Sequence, residues 1–180
     1  MNYITLDDKR FKLLYPYSKL SEAAERLAGR MNNDLSDKEV IFIGILNGAF
    51  MFAADILKKI SFNCKVTFMK LMSYEGTSSS GTIKELIGLN ENLEGKTVVI
   101  LEDIIDTGLT MESICRQLNA FKPREIIIAT MFFKPSSLTR DISIDYVGIQ
   151  IPDNFIVGYG LDYNGYGRNL KDVYVLDEKD

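Results

Sequence analysis

The stretch VVILEDIIDTGLTM, Val98 to Met111, runs from a β-branched apolar segment into three carboxylates, a glycine and two threonines, and then into a helical apolar period. Such an arrangement suits anion capture. Main-chain N–H groups of a turn, with the unsatisfied donors and positive dipole end of a helix, can hold a phosphate. On this reading the phosphate site spans Asp106, Thr107, Gly108, Leu109 and Thr110, with hydroxyls from Thr107 and Thr110 and close backbone approach at Gly108. The GxxxxGK[ST] spacing is absent and no GxGxxG follows any strand, which disfavours a nucleoside triphosphate or a dinucleotide. Glu102 and Asp103 would repel a lone phosphate, so they need another partner. A ribose diol offers two hydroxyl donors to carboxylates, and a magnesium ion would bridge the same oxygens. A phosphorylated ribose satisfies both halves. With no histidine in the chain, a general base must be a carboxylate, lysine or tyrosine, and a histidine-ligated metal is excluded.

The elements that must position these groups follow from periodicity. Leu20, Ala24, Leu27 and Met31 recur at helical spacing after Ser18, a plausible cap, with Asn32 and Asn33 closing the helix. VIFIGIL, Val40 to Leu46, has the composition of a strand buried on both faces and ends at Asn47 and Gly48. A helix is expected over Ala49 to Ile60, a strand over Lys65 to Met72, and a long mobile loop from Tyr74 to Ile83. TVVIL, Thr97 to Leu101, is the next strand. After the turn EDIIDTGLT, Met111, Ile114, Cys115, Leu118 and Phe121 line a helix that stops before Pro123. Strands are expected at Glu125 to Phe133 and at Tyr146 to Ile151, and GYGLDYNGYGRN, Gly158 to Asn169, reads as site-building loop. Alternating buried strands and amphipathic helices imply an α/β fold with a mostly parallel central sheet, its ligand crevice beyond the carboxyl ends of the strands.

Composition bounds the class. The 180 residues are 46% hydrophobic and 26% charged, without repeats or a proline-rich linker, which implies one domain over 1–180. A chain of this length buries roughly 70% of its unfolded surface without staples, so Cys64 and Cys115 read as small apolar residues. No apolar run approaches a membrane span and MNYITLDDKRFK lacks a signal's apolar stretch, so a reducing cytoplasm is expected and no membrane partner. A formal net charge of -4 is a poor footprint for binding nucleic acid.

EDIIDTGLT resembles the signature of the phosphoribosyltransferases, in which a strand, two acids and a glycine and threonine turn bind phosphoribosyl pyrophosphate. It is similar in particular to the hypoxanthine-guanine branch, because Asp106 is acidic. LNGAFMFAADIL at Leu46 to Leu57, SYEG at Ser73 to Gly76, and IPDNFIVGYGLDYN at Ile151 to Asn164 followed by Arg168 agree with that branch. The resemblance runs from about Val40 to the C-terminus, leaving the first helix outside. It implies a type I phosphoribosyltransferase fold with a small hood built mainly from 151–180 and a lid over 73–83.

The resemblance also implies a reaction: magnesium-dependent transfer of ribose 5-phosphate from pyrophosphate to N9 of a 6-oxopurine, hypoxanthine or guanine. In it Asp106 is the general base at purine N7, and Glu102 and Asp103 hold ribose and magnesium. Asn47, Gly48 and Arg168 bind pyrophosphate, and Asp162 is a metal ligand. Lys134 donates to purine O6, Phe155 stacks on the ring, and the backbone near Ile156 accepts from the base edge. Ser73 and Tyr74 belong to the lid, which excludes water. A non-proline cis peptide is expected between Leu46 and Asn47, at a position where Asn47 departs from the lysine frequent in relatives. A homodimer or homotetramer is implied as well. Two alternatives remain at this stage: a regulatory protein that binds phosphoribosyl pyrophosphate and RNA, and a non-catalytic partner-binding domain that kept the fold.

Overall fold

The structure, a computed structural model, describes residues 2–73 and 84–177. The chain opens with a hairpin, β1 (Tyr3–Leu6) and β2 (Lys9–Tyr15), followed by helix α1 (Tyr17–Leu35). Then come β3 (Val40–Leu46), α2 (Phe50–Leu57), β4 (Lys65–Ser73), β5 (Lys84–Ile87), β6 (Thr97–Ile105), α3 (Leu109–Asn119) and β7 (Glu125–Phe133). The chain ends in β8 (Tyr146–Gln150), β9 (Ile156–Val157) and β10 (Val173–Leu176).

Apolar residues on the central strands alternate between two faces, and each face meets its own helices. Val40 and Phe42 of β3 with Val99 and Leu101 of β6 pack against Leu27 of α1 and Phe52 of α2. Ile41, Ile43, Val98 and Ile100 pack on the opposite face against Met111, Ile114 and Leu118 of α3. Cover on both faces is why these strands read as unbroken apolar runs. The large sheet has the order β5-β4-β3-β6-β7-β8, parallel throughout except for β5, which runs antiparallel to β4. β3 leads to β4 on one side and β6 to β7 on the other, so the order reverses between β3 and β6. A ligand crevice belongs at the carboxyl ends of those two strands.

A second, antiparallel sheet in the order β1-β2-β10-β9 forms the hood over a small core of Phe11, Val157 and Tyr174. The C-terminal segment supplies two of its strands; the other two are the N-terminal hairpin, for which the sequence carried no clear period.

Other boundaries move for local reasons. α1 starts at Tyr17, its N–H accepted by Asp172 Oδ1 at 2.7 Å, so the cap comes from the far end of the chain and not from Ser18. It also runs past Asn32, whose amide is occupied by the Lys59 carbonyl and the Ser61 N–H. α2 is shorter than expected, β8 stops at Gln150, and Phe121 lies exposed beyond the end of α3. Tyr74 to Ile83, most of the expected lid, lies outside the described residues.

Candidate active site

β6 does not end at Leu101. It continues through Glu102 and Asp103 to Ile105 because β7 pairs with it that far, Glu102 opposite Thr130 and Ile105 opposite Phe133. The two acids therefore stand on a fixed strand and not on a turn. Glu102 Oε1 accepts the Asp103 N–H at 3.2 Å, and Asp103 Oδ1 accepts the Ile104 N–H at 2.7 Å. Burial, and then the charge of Asp103, push the Glu102 carboxyl well above its usual range; burial raises Asp103 as well, against the opposing pull of its hydrogen bonds with Glu102 and the Ile104 N–H and then of Arg168.

A raised folded-state value means that this group's contribution to stability is complete below the ordinary 4.5 and is lost as pH climbs through the folded value. Glu102→Gln, uncharged throughout, is thus expected to raise the melting temperature by a few degrees at about neutral pH and to give no gain at about pH 4. Thermal melts across pH measure this, and a difference independent of pH would assign the effect to packing.

Around these acids, at the carboxyl ends of β3 and β6, lies a cavity of about 630 Å³. Asn47, Gly48, Glu102, Asp103, Asp106, Thr107, Gly108, Thr110, Asp162 and Arg168, all expected from sequence, line it, together with apolar walls at Ile45, Leu71, Ile104, Ile105 and Met111. Gly108, at φ +83°, turns the chain into α3, whose first N–H groups have no intrahelical partner. Thr107 Oγ1 accepts the Leu109 N–H at 3.4 Å, while the Thr107 carbonyl takes both the N–H and the hydroxyl of Thr139 at 3.1 Å. Thr139 thus braces this turn from outside the cavity lining.

Across the cavity, the Leu46–Asn47 peptide is cis as expected. Gly48 abuts the Asp103 carboxylate with no room for a side chain. Arg168 pairs with Asp162 and donates Nη1 to the Gly160 carbonyl at 2.8 Å; the second Asp162 oxygen accepts the Gly165 N–H at 2.8 Å.

Lys134 follows β7 with its N–H on the Ile105 carbonyl at 3.0 Å, which sets it beside the end of β6. Its buried ammonium lies 3.2 Å from Asp106 Oδ2 and 3.0 Å from Asp153 Oδ1. Sequence reasoning passed over Asp153, although it sits in the IPDN motif two residues before Phe155. Phe155 and Ile156 are not among the cavity's lining residues. Phe155 stands at the hood edge, half-exposed and packed edge-on against Tyr163 with centroids 6.0 Å apart, whereas Ile156 is buried on β9. Ser73 ends β4 and Tyr74 lies outside the described residues.

Among the described residues, no group of three or more potential ligands is gathered for a metal. The oxygens of Glu102, Asp103 and Asp162 around the cavity are hard donors of the kind that hold magnesium through one or two carboxylates, the other positions coming from substrate and water. No helix of the described residues is long and apolar enough to cross a membrane.

A phosphate-type turn and a carboxylate pair at the switch point of a parallel sheet define an α/β protein for sugar phosphates or nucleotides. Comparison narrows the class. The family model described as "Phosphoribosyl transferase domain" matches residues 14–164, and the chain belongs to that family; the match takes in α1, which the motifs left outside. The hypoxanthine-guanine phosphoribosyltransferase of Aquifex aeolicus is 38% identical over 94% of this chain and 97% of its own, and that of Streptococcus pyogenes serotype M3 is 40% identical over 93% and 94%. Among solved structures, a hypoxanthine phosphoribosyltransferase from Staphylococcus aureus superposes with a TM-score of 0.82 at 35% identity, covering 92% of this chain and 91% of that one.

Proposed function

We propose that this chain transfers the 5-phosphoribosyl group of phosphoribosyl pyrophosphate to N9 of hypoxanthine or guanine, giving the nucleoside monophosphate and pyrophosphate. The observation that carries the reading is a single cavity that joins the Glu102–Asp103 pair to the Asp106–Thr110 turn, with buried Lys134 bonded to Asp106 at its edge. In this reading the turn amides and the hydroxyls of Thr107 and Thr110 hold the 5-phosphate, while Glu102 and Asp103 accept from the ribose hydroxyls. Arg168 and the Asn47–Gly48 backbone bind pyrophosphate.

Lys134 donates to purine O6, the half-exposed Phe155 stacks on the base, and the backbone at Ile156 meets the base edge. Asp106 takes the N7 proton. A carboxylate is a weak base at neutral pH, so positioning and electrostatics supply most of the acceleration. Magnesium, held by Glu102, Asp103 or Asp162 together with substrate oxygens, would neutralise charge on the leaving pyrophosphate. The free thiols of Cys64 and Cys115 support a reducing, cytoplasmic setting. Both relatives above are named as the enzyme, which does not favour the RNA-binding alternative.

The test is pyrophosphate release with magnesium, phosphoribosyl pyrophosphate and each purine in turn. Hypoxanthine or guanine is expected to support turnover and adenine to fall at least about tenfold behind, because Lys134 has only donors to set against a 6-amino group. Equal rates with adenine would remove the assigned specificity, and no release with any purine would remove the reaction.

A further inference from the structure

We infer that Asp55 and Tyr159 form a buried positioning pair that sets the pyrophosphate half of the site, an inference that rests on the proposed reaction. Asp55 lies on α2, the helix that leaves the Asn47–Gly48 turn, and its side chain is buried without lining the cavity. Oδ2 accepts the Tyr159 hydroxyl at 2.7 Å. Oδ1 accepts the Tyr17 hydroxyl at 3.2 Å and the Lys58 ammonium at 3.0 Å, so the charge is balanced from the solvent side. A buried carboxylate with three donors is an anchor whose removal leaves polar groups unpaired.

Tyr159 is the middle of three consecutive residues with positive φ, +95° at Gly158, +52° at Tyr159 and +101° at Gly160. For a non-glycine residue that conformation is sterically disfavoured and needs tertiary support. Support is visible: the ring is fully buried, the hydroxyl is held by Asp55, and the N–H donates to the Leu170 carbonyl at 2.7 Å. Burial and the facing carboxylate push the hydroxyl far above its ordinary value of 10.0, so it remains a donor.

What Tyr159 fixes is its neighbour. Gly160 lies so near the Gly48 carbonyl that a Cβ would strike it, donates its N–H to the Arg168 carbonyl at 3.1 Å, and accepts Arg168 Nη1 at 2.8 Å. One carboxylate therefore ties the helix behind the Asn47–Gly48 wall to the loop that carries Asp162 and Arg168. The 5-phosphate turn is braced separately, through Thr139.

Tyr159→Phe deletes one oxygen and keeps the ring. The dissociation constant and KM for phosphoribosyl pyrophosphate are expected to rise about tenfold, the effect of losing one hydrogen bond to a buried charge. Affinity for the nucleoside 5′-monophosphate, which lacks the pyrophosphate, should stay within about twofold. Asp55→Asn keeps an acceptor for the tyrosine and should hold phosphoribosyl pyrophosphate affinity within about threefold of the parent, whereas Asp55→Leu should match Tyr159→Phe. Tyr17→Phe, whose lost bond does not reach the hood loop, is the control and should change neither affinity. Parallel losses for both ligands in Tyr159→Phe, or no loss for either, would overturn the inference. A parent protein that neither binds phosphoribosyl pyrophosphate nor releases pyrophosphate would instead overturn the proposed reaction.

Discussion

Asp106→Asn is expected to lower kcat by about 10²–10⁴-fold while affinity for the sugar phosphate stays within about threefold. The substitution keeps the size of the side chain and an acceptor for Lys134, but an amide cannot take a proton from purine N7. Phosphate affinity is retained because the donors assigned to the phosphate are main-chain amides of the turn and the hydroxyls of Thr107 and Thr110, none of which is altered. Lys134 keeps its second carboxylate, Asp153 at 3.0 Å, so the purine side is not left with an unpaired buried cation. Steady-state turnover beside titration of the nucleoside monophosphate separates the two effects. A rate equal to the parent's would take Asp106 out of the mechanism, and a matched loss of rate and affinity would make it a structural part of the phosphate turn.

The block around Asp106 was legible because its chemistry is local: a buried strand, two acids, a turn and a helix start within fourteen residues. Even there, charge misled the strand boundary. Glu102 and Asp103 read as turn residues, yet β7 pairs with β6 as far as Phe133, and tertiary pairing overrides the propensity of two carboxylates. The parts that stayed hidden depend on partners distant in the chain. The carboxylate that caps α1 comes from Asp172, 155 residues away, and Asp55 meets Tyr159 across 104 residues. No window of sequence carries a signal for either. The N-terminal hairpin escaped because KRFKLLY interleaves lysines and arginine with its apolar residues, and Phe11 alone among them is fully buried. Such a strand makes sense only once β10 lies beside it. Asp153 escaped for a similar reason: an exposed aspartate after a proline looks like a solvated turn until a buried lysine is found 3.0 Å away.

That lysine carries the second large effect. Lys134 has three donors and no acceptor, and it is buried between two carboxylates that hold it in place before any purine arrives. A 6-oxopurine gives its ammonium an acceptor; a 6-aminopurine presents a further donor and leaves both groups unsatisfied. Lys134→Gln exchanges the charge for an amide that offers one donor and one acceptor. Replacing a charged hydrogen bond, about 1.5–3 kcal/mol, by a neutral one of about 0.5–1.5 kcal/mol should cut kcat/KM for hypoxanthine about 5- to 15-fold. Adenine can turn its amino group to the glutamine carbonyl, so kcat/KM for adenine itself should rise at least about fivefold. Lys134→Met, with neither group, should lose more, about 10- to 100-fold for hypoxanthine, and leave adenine where it was. Initial rates with each purine alone measure the two changes separately. If glutamine and methionine change the adenine rate equally, the lysine bridges Asp106 and Asp153 as a structural cation, and recognition of the 6-position resides in the backbone of the hood.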